Sequence, residues 1–394
     1  MSGHGKDQSN GPATRLIHGV GPKPLTATTV GPPIQHGSTV LLQTAEELYD
    51  HSKPTYGRAG LATHETLRAA LCELEGAADC QLYPSGVAAL TGAMLAVLRA
   101  GDEVLVADSI YAPTRRFCDK VLARYGVKVG YYPPRTPPDE LLALGGPALK
   151  LIVLESPGSL TFEIQDAPAI AALARQRGVL TLLDNTWAAG LLFKPLAHGV
   201  DISVQALTKY VCGHSDVFMG AACAAEPAMV KALDDGVLHL GWAVSGQDAY
   251  LTIRGLRTLA TRLERHGASG VRIAEWLVTQ PEVAQVIHPA LPASPDHAIW
   301  ARDYTGACGL FAFALREPAS EAAVNALLNR LKLFGLGFSW GGFESLAISC
   351  GDQLRQRRFK QDFPGPLVRL HVGLEEPDDL IADLRAGLDA FGAA

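Results

Sequence analysis

Between Cys80 and Val230 the chain alternates short apolar runs with segments of helical period. Val104-Leu-Val-Ala107, Val127-Lys-Val-Gly130, Lys150-Leu-Ile-Val-Leu154, Leu180-Thr-Leu-Leu183 and Ile202-Ser-Val204 read as buried strands. Residues 86–99, 114–125 and 168–177 read as helices between them. The runs are apolar throughout rather than alternating, as strands covered on both faces must be. The expected fold class is therefore α/β, with a mainly parallel central sheet and helices on both faces. Upstream, Leu67, Leu71 and Leu74 recur at spacings of four and three, so a helix begins near residue 62 and stops at Gly76. Downstream, Tyr250, Ile253, Leu256, Leu259 and Leu263 make one stripe, which predicts a single long helix over 245–280. Strands over 309–315 and 368–373, with helices over 321–332 and 377–391, predict a smaller C-terminal α/β domain. Residues 1–60 are rich in Gly, Pro, Thr and His and lack periodicity. They read as an arm laid over another surface. The expected division is 1–60, 61–250 and 251–394.

Composition narrows the classes. With Lys+Arg 34 against Asp+Glu 40, the net charge is -6, and no basic block occurs. Nucleic acid and anionic membranes are not expected partners. The seven cysteines are scattered and form no CxxC, the usage of reduced thiols in a cytoplasmic protein. No run approaches the ~18 consecutive apolar residues of a membrane span. The opening Met1-Ser-Gly-His-Gly-Lys lacks the apolar stretch of a signal peptide and reads as a disordered start.

The candidate chemistry gathers where strands end. Lys209 follows the apolar run Ile202-Ser-Val204 and precedes a glycine-containing turn. Withdrawal from water disfavours an ammonium, which makes the amine nucleophilic toward an aldehyde such as pyridoxal 5'-phosphate. The bland alternative is a solvated lysine at a strand end. Asp184 ends the run Leu180-Thr-Leu-Leu183 and could keep a pyridine nitrogen protonated, or simply form an Asx turn. Tyr83-Pro-Ser-Gly86 joins a strand to a helix, so Gly86 and Val87 would offer backbone N–H groups to a phosphate. An ordinary serine cap is the alternative there. The Thr208 hydroxyl could join the same phosphate. Tyr111, after Val104-Leu-Val-Ala107, could stack on a ring or pack on the rim. Arg369 lies among apolar neighbours, and a buried arginine needs an anion: a substrate carboxylate or a structural partner. Tyr56 and Arg58 suit phosphate recognition but lie in the loose arm. His214 and Asp216 lack the partners of a zinc site and read as holding the turn after Lys209; no metal is expected.

Taken together, Tyr56-Gly-Arg58, Tyr83-Pro-Ser-Gly86, Tyr111, Asp184-Asn-Thr-Trp187, Thr208-Lys-Tyr-Val-Cys-Gly-His-Ser-Asp216, Gly246-Gln-Asp-Ala-Tyr250, Arg254-Gly-Leu-Arg-Thr258, Ser339-Trp-Gly-Gly342 and Val368-Arg-Leu-His-Val-Gly-Leu-Glu375 resemble the cysteine/methionine-metabolism family of fold-type I pyridoxal-phosphate enzymes. The resemblance spans roughly residues 15–390. Ala206 and the Trp-Gly-Gly sequence after Ser339 favour the branch that eliminates at Cβ of cystathionine. The resemblance implies Lys209 as the cofactor-binding lysine, Asp184 on the ring nitrogen and Tyr111 on the ring face, with Lys209, Tyr111 and Tyr56 as the catalytic side chains and the α-proton taken by the Lys209 amine or a tyrosine oxygen. It implies Gly86, Val87 and Thr208 on the phosphate, with Tyr56 and Arg58 reaching a neighbouring subunit's phosphate. Arg369, Ser339 and Trp340 would bind the substrate's α-carboxylate. Residues 61–250 become the cofactor domain, and the assembly a homotetramer built from two dimers. Ala59 and Arg116 depart from the arginine and the acidic residue expected at those places, where the distal half of the substrate would lie. A broad cysteine-conjugate β-lyase or cysteine desulfhydrase, a γ-acting synthase or lyase, and an inactive scaffold remain the alternatives.

Overall fold

The computed structural model describes residues 29–50 and 53–393. The expected disordered start and half of the arm lie outside the described residues. The chain divides into two compact units, Met1–Pro33 and Ile34–Ala394. The helices and strands of the described residues all belong to the second unit.

Helix α1 (Ala62–Glu75) buries Leu67 and Leu71 and ends where Gly76 turns left-handed, at φ 70°. Then come β1 (Asp79–Tyr83), α2 (Gly86–Val97), β2 (Glu103–Ala107), α3 (Ala112–Phe117), β3 (Lys128–Tyr132), α4 (Pro138–Ala143), β4 (Leu149–Glu155), α5 (Ala167–Gln176), β5 (Leu180–Asp184), β6 (Ile202–Gln205), β7 (Gly220–Ala224), α6 (Pro227–Leu240), α7 (Gly246–Leu256) and α8 (Leu259–Val278). The first seven strands form one sheet in the order β1-β7-β6-β5-β4-β2-β3. Every pairing is parallel except the two made by β7. Successive residues of each strand feed opposite cores. Val104, Val106, Leu151, Val153 and Leu182 pack with α2 and α6 on one face. Leu105, Ala107, Ile152, Leu154 and Leu183 pack with α1 and α5 on the other.

The remaining strands, β8 (Val283–Ile287), β9 (Leu310–Leu315), β10 (Gly335–Leu336), β11 (Leu346–Ser349) and β12 (Leu367–His371), form a second sheet. Its order is β10-β11-β12-β9-β8. Phe311, Phe313, Val368 and Leu370 on its outer face pack under the helices Glu321–Arg330 and Pro377–Gly392. The inner face, with Leu310, Ala312, Ala314 and Leu367, joins the core of the first sheet. The expected mainly parallel sheet and smaller C-terminal sheet are both present.

Two local expectations need correction, and one strand carries no sequence signal. The single helix over 245–280 is two helices broken at Arg257–Thr258. The break lets Arg262 fold back and donate to Gly255 O at 2.7 Å and Tyr210 O at 2.6 Å, capping α7 and pinning the segment after Lys209. The helix over 114–125 starts earlier and loosens: α3 passes into a π-helical stretch, Cys118–Leu122, and a 3-10 turn, Ala123–Tyr125. Strand β7, Gly-Ala-Ala-Cys-Ala, carries no β-branched or large residue, so strand propensity gives no signal there.

Helix α3 matters because Tyr111 is its N-cap. It is held by Arg115, which donates to Asp108 Oδ1 at 2.6 Å and Asp108 O at 2.7 Å. Asp108 also accepts from the N–H groups of Arg358 and Phe359 at 3.1 and 2.8 Å. Removing one member of a buried pair strands the other charge. Arg115→Met is therefore expected to lower stability by about 3–5 kcal/mol in urea unfolding. Arg116→Met, on the exposed face of the same helix, should stay within about 0.5 kcal/mol.

Candidate active site

Parallel sheets leave a crevice beyond the carboxyl ends of their strands, and one pocket lies there. Its wall includes Ser85, Gly86, Val87, Tyr111, Glu155, Asp184, Thr208, Lys209, Trp340 and Arg369. Residues more than 280 positions apart in sequence thus share one wall.

The phosphate-like corner comes from the β1–α2 turn. Ser85 caps α2, its Oγ accepting from Ala88 N at 3.1 Å. Gly86 and Val87 stand in the first turn, where the N–H groups have no acceptor within the helix. Gly86 lies so close to Ala206 that a Cβ would come within 2.3 Å of the alanine Cβ. Only glycine lets this turn reach the segment carrying Lys209. The Thr208 hydroxyl donates to Met219 O at 3.1 Å and accepts from Met219 N at 3.0 Å.

Lys209 stands in a helical turn four residues beyond β6 rather than at the strand's end. Its Nζ donates to Ser339 Oγ at 2.9 Å and sits 5.3 Å over the Trp340 ring. Burial, reinforced by repulsion from Arg369, pushes its pKa down from 10.5 to about 8, with Asp184 opposing. Gly341, at φ +86°, brings the Ser339–Gly342 loop against the main chain of Lys209 and Tyr210; a Cβ there would meet the Tyr210 nitrogen at 2.7 Å. Beneath the loop, Tyr210 packs on Trp340 at 5.5 Å and on His371 at 5.8 Å. Burial pushes the His371 pKa down to about 3, and its Nε2 lies 3.1 Å from both Gly341 N and Gly342 O. His214 holds the following turn, its Nδ1 2.7 Å from Cys212 O.

Asp184 makes the Asx turn considered for it and also faces the pocket. Its Oδ1 accepts from Thr186 N at 3.0 Å, an Asx turn, while the carboxylate lines the pocket. Burial raises its pKa, and the Thr186 bonds and Lys209 hold it back. Arg369 is buried and makes no ion pair among the described residues. Its Nη2 donates to the carbonyls of Phe338 and Ser339 at 3.1 and 3.0 Å. Its Nε has no acceptor at all, and burial pushes the guanidinium down to about 10. An anion arriving in the pocket would relieve that cost.

Tyr111 is half-exposed at the rim, its phenol pKa raised by burial and by Glu155. Trp340, which reads as exposed in its Gly-rich loop, is partly buried. Tyr56 and Arg58 are not at this pocket. Tyr56 bridges to Thr39, and Arg58 stacks over the Tyr56 ring at 5.5 Å. Sequence reasoning passed over Glu155, Leu160, Phe162 and Phe218, which line the same wall. Glu155 carried the signal that marked Asp184, a carboxylate closing an apolar run. Among the described residues no cluster of three or more His, Cys, Asp or Glu could hold a metal ion, and no helix is long and apolar enough to cross a membrane. A lysine of depressed pKa, a buried carboxylate, free helix N–H groups and an unpaired arginine are the donor set that an aldehyde–phosphate cofactor and an amino-acid carboxylate require.

The family model for Cys/Met metabolism PLP-dependent enzymes matches residues 13–389. A putative cystathionine β-lyase of Rhizobium johnstonii is 44% identical, covering 98% of each chain. Cystathionine β-lyase MetC of Escherichia coli is 41% identical over 95% of this chain and 97% of its own. A crystal structure of cystathionine γ-synthase from Xanthomonas oryzae, with aminoacrylate and cysteine, superimposes with a TM-score of 0.85 at 33% identity, covering 92% of this chain and 94% of that one. The chain belongs to the Cys/Met metabolism family of pyridoxal-phosphate-dependent enzymes.

Proposed function

We propose that this enzyme is a carbon–sulfur lyase that splits L-cystathionine by α,β-elimination into L-homocysteine, pyruvate and ammonia, with one water consumed. The observation that carries the reading is the convergence of Lys209, Asp184 and an arginine without an anion, Arg369, on one pocket. The names of the two bacterial lyases support cystathionine as the substrate.

Each residue's part follows from its surroundings. Arg369 takes the substrate α-carboxylate through its unpaired Nε, beside Ser339 and Trp340. Lys209 binds the cofactor's aldehyde and, once released by the incoming substrate amine, removes the α-proton. An amine with pKa about 8 is half neutral near pH 8, whereas Tyr111, shifted upward, stays a phenol. We therefore assign the base to Lys209 and give Tyr111 the ring face. Lys209 then returns a proton to the departing sulfur. Asp184 keeps a proton on the pyridine nitrogen; the Gly86 and Val87 N–H groups, with Thr208 turned from Met219, hold the phosphate. Pyridoxal phosphate, when bound, supplies the ring that stabilises negative charge at the α-carbon. Tyr56 and Arg58, away from their own pocket, would serve the phosphate of a neighbouring subunit. The working form is then a homo-oligomer, a tetramer of two dimers, in the cytoplasm, where its seven free cysteines stay reduced.

A broader cysteine-conjugate β-lyase is the second reading. It is favoured by the apolar wall of Pro157, Leu160, Phe162 and Phe218 and by Ala59 and Arg116, which replace the arginine and the acidic residue that the family resemblance leads one to expect opposite the distal carboxylate and ammonium.

Keto-acid analysis is the direct test. Cystathionine should yield pyruvate and homocysteine in equal amounts; 2-oxobutyrate would mean γ-elimination and refute the assignment. Lys209→Ala should lose the bound cofactor's visible band and about 10²–10⁴-fold in turnover. In cofactor-free protein, acylation of Lys209 should rise with pH through a midpoint near 8, because only the neutral amine reacts; a midpoint near the ordinary lysine value of 10.5 would contradict the desolvated base. For the shared site, Arg58→Ala and Lys209→Ala chains reassembled together should recover activity above the sum of the two, since each mixed pair regains one complete site. A fully active monomer in light scattering would exclude it.

A further inference from the structure

One acidic side chain in the pocket has no part in the elimination itself. Glu155 ends β4 in register with Asp184 at the end of β5, so the two carboxyl groups leave adjacent parallel strands at the same height. Glu155 lines the pocket. Its Oε2 accepts the backbone N–H of Tyr111 at 2.6 Å, and its own N–H donates to Gln165 Oε1 at 3.1 Å. Among the described residues no cation pairs with it. Arg357, the arginine whose charge acts on Glu155, is engaged elsewhere: it donates to Thr161 Oγ1 at 2.7 Å and to Ser159 O, and lies 3.6 Å from Glu163.

We propose that Glu155 is a positioning residue of this active site: through its bond to the Tyr111 N–H it fixes the tyrosine ring against the cofactor pocket, and it does so as a neutral acid, leaving Asp184 as the charged carboxylate. The inference rests on the cofactor reading under the proposed function. Tyr111 needs such a hold. It is the N-cap of α3 with no side-chain cap of its own, it sits at the rim, and α3 is only six residues long. The Glu155 bond fixes the main chain at the residue whose ring must lie flat.

Neutrality follows from the groups that face Glu155. From β5 comes the Asp184 carboxylate, and beyond β4 comes Glu163; both repel a charge on Glu155. Arg357 attracts it but is turned to Glu163 and Ser159. Burial and Asp184 therefore push the Glu155 carboxyl well above the usual carboxylate range. Asp184 is buried too, but it has two Thr186 donors and Lys209 to hold its charge. Two like groups side by side are thereby driven apart, one acid and one anion. A second anion in the pocket would weaken the pull of Arg369 on a carboxylate substrate; a neutral one does not.

The test compares Glu155→Gln and Glu155→Ala in the holoenzyme. Glutamine keeps an acceptor for Tyr111 and carries no charge. It should leave the visible circular dichroism of the bound cofactor unchanged and kcat/KM within about two-fold of wild type. Alanine removes the acceptor. It should diminish that dichroism and lower kcat/KM about ten-fold, the worth of one hydrogen bond. Damage by glutamine equal to that by alanine would mean the charge is needed and would overturn the proposal. So would an alanine variant unchanged in both readouts. Should the alanine variant fail to fold, infrared difference spectra of wild type against Glu155→Gln at neutral pH decide: a neutral-acid carbonyl band that vanishes in the variant is expected, and a carboxylate band in its place refutes it. The dichroism and infrared signals do not depend on which sulfur amino acid is cleaved, so their failure is separable from a wrong substrate.

Discussion

An arginine withdrawn from water with no acid to meet it is the expense around which this pocket is organised. Arg369 faces the site with a bare Nε, and only main-chain carbonyls touch its other end. Burying such a charge destabilises a fold by several kcal/mol. Close by stands Lys209, also partly buried, and the repulsion of Arg369 lowers the lysine's affinity for a proton. Among the described residues, Asp184 supplies the only counter-charge that reaches Lys209. The wall is thus left with an excess of positive charge, which the proposed carboxylate and phosphate would neutralise. Ligand binding draws on electrostatic energy that folding left unspent.

Much of this was legible in the sequence because topology does the placing. In a parallel sheet every strand delivers its last residue to the same edge. An apolar run closed by a polar residue therefore marks a position in space as well as in sequence. Asp184 and the Ser85–Val87 turn are found that way, and Lys209 nearly so, although it lies in a turn beyond its strand. Glu155 obeys the same rule after Lys150-Leu-Ile-Val-Leu154. It escaped notice because no cofactor role asked for a second acid.

What stayed hidden depends on contacts between distant segments. Nothing local breaks the stripe from Tyr250 to Leu263, since Arg257 and Thr258 are tolerable in a helix. The break forms because Arg262 finds carbonyls at Tyr210 and Gly255, and those are set by tertiary structure. Strand β7 is similarly silent: its alanines and glycine have weak strand preference and are strand only because β1 and β6 both pair with it.

The same arginine also explains why the Ser339–Gly342 loop belongs to the chemistry. Arg369 Nη2 holds the carbonyls of Phe338 and Ser339, Ser339 Oγ accepts from Lys209 Nζ, and Gly341 rests on the main chain of Lys209. The residue proposed to receive the substrate carboxylate is therefore one hydrogen bond from the loop that touches the lysine. On the proposed mechanism, drawing Arg369 toward an anion would shift the balance of its bonds to that loop and, through Ser339, the position of the amine. Binding at the carboxylate end and proton transfer at the α-carbon would then be joined by two short contacts, so that the site discriminates amino acids by geometry as well as by charge.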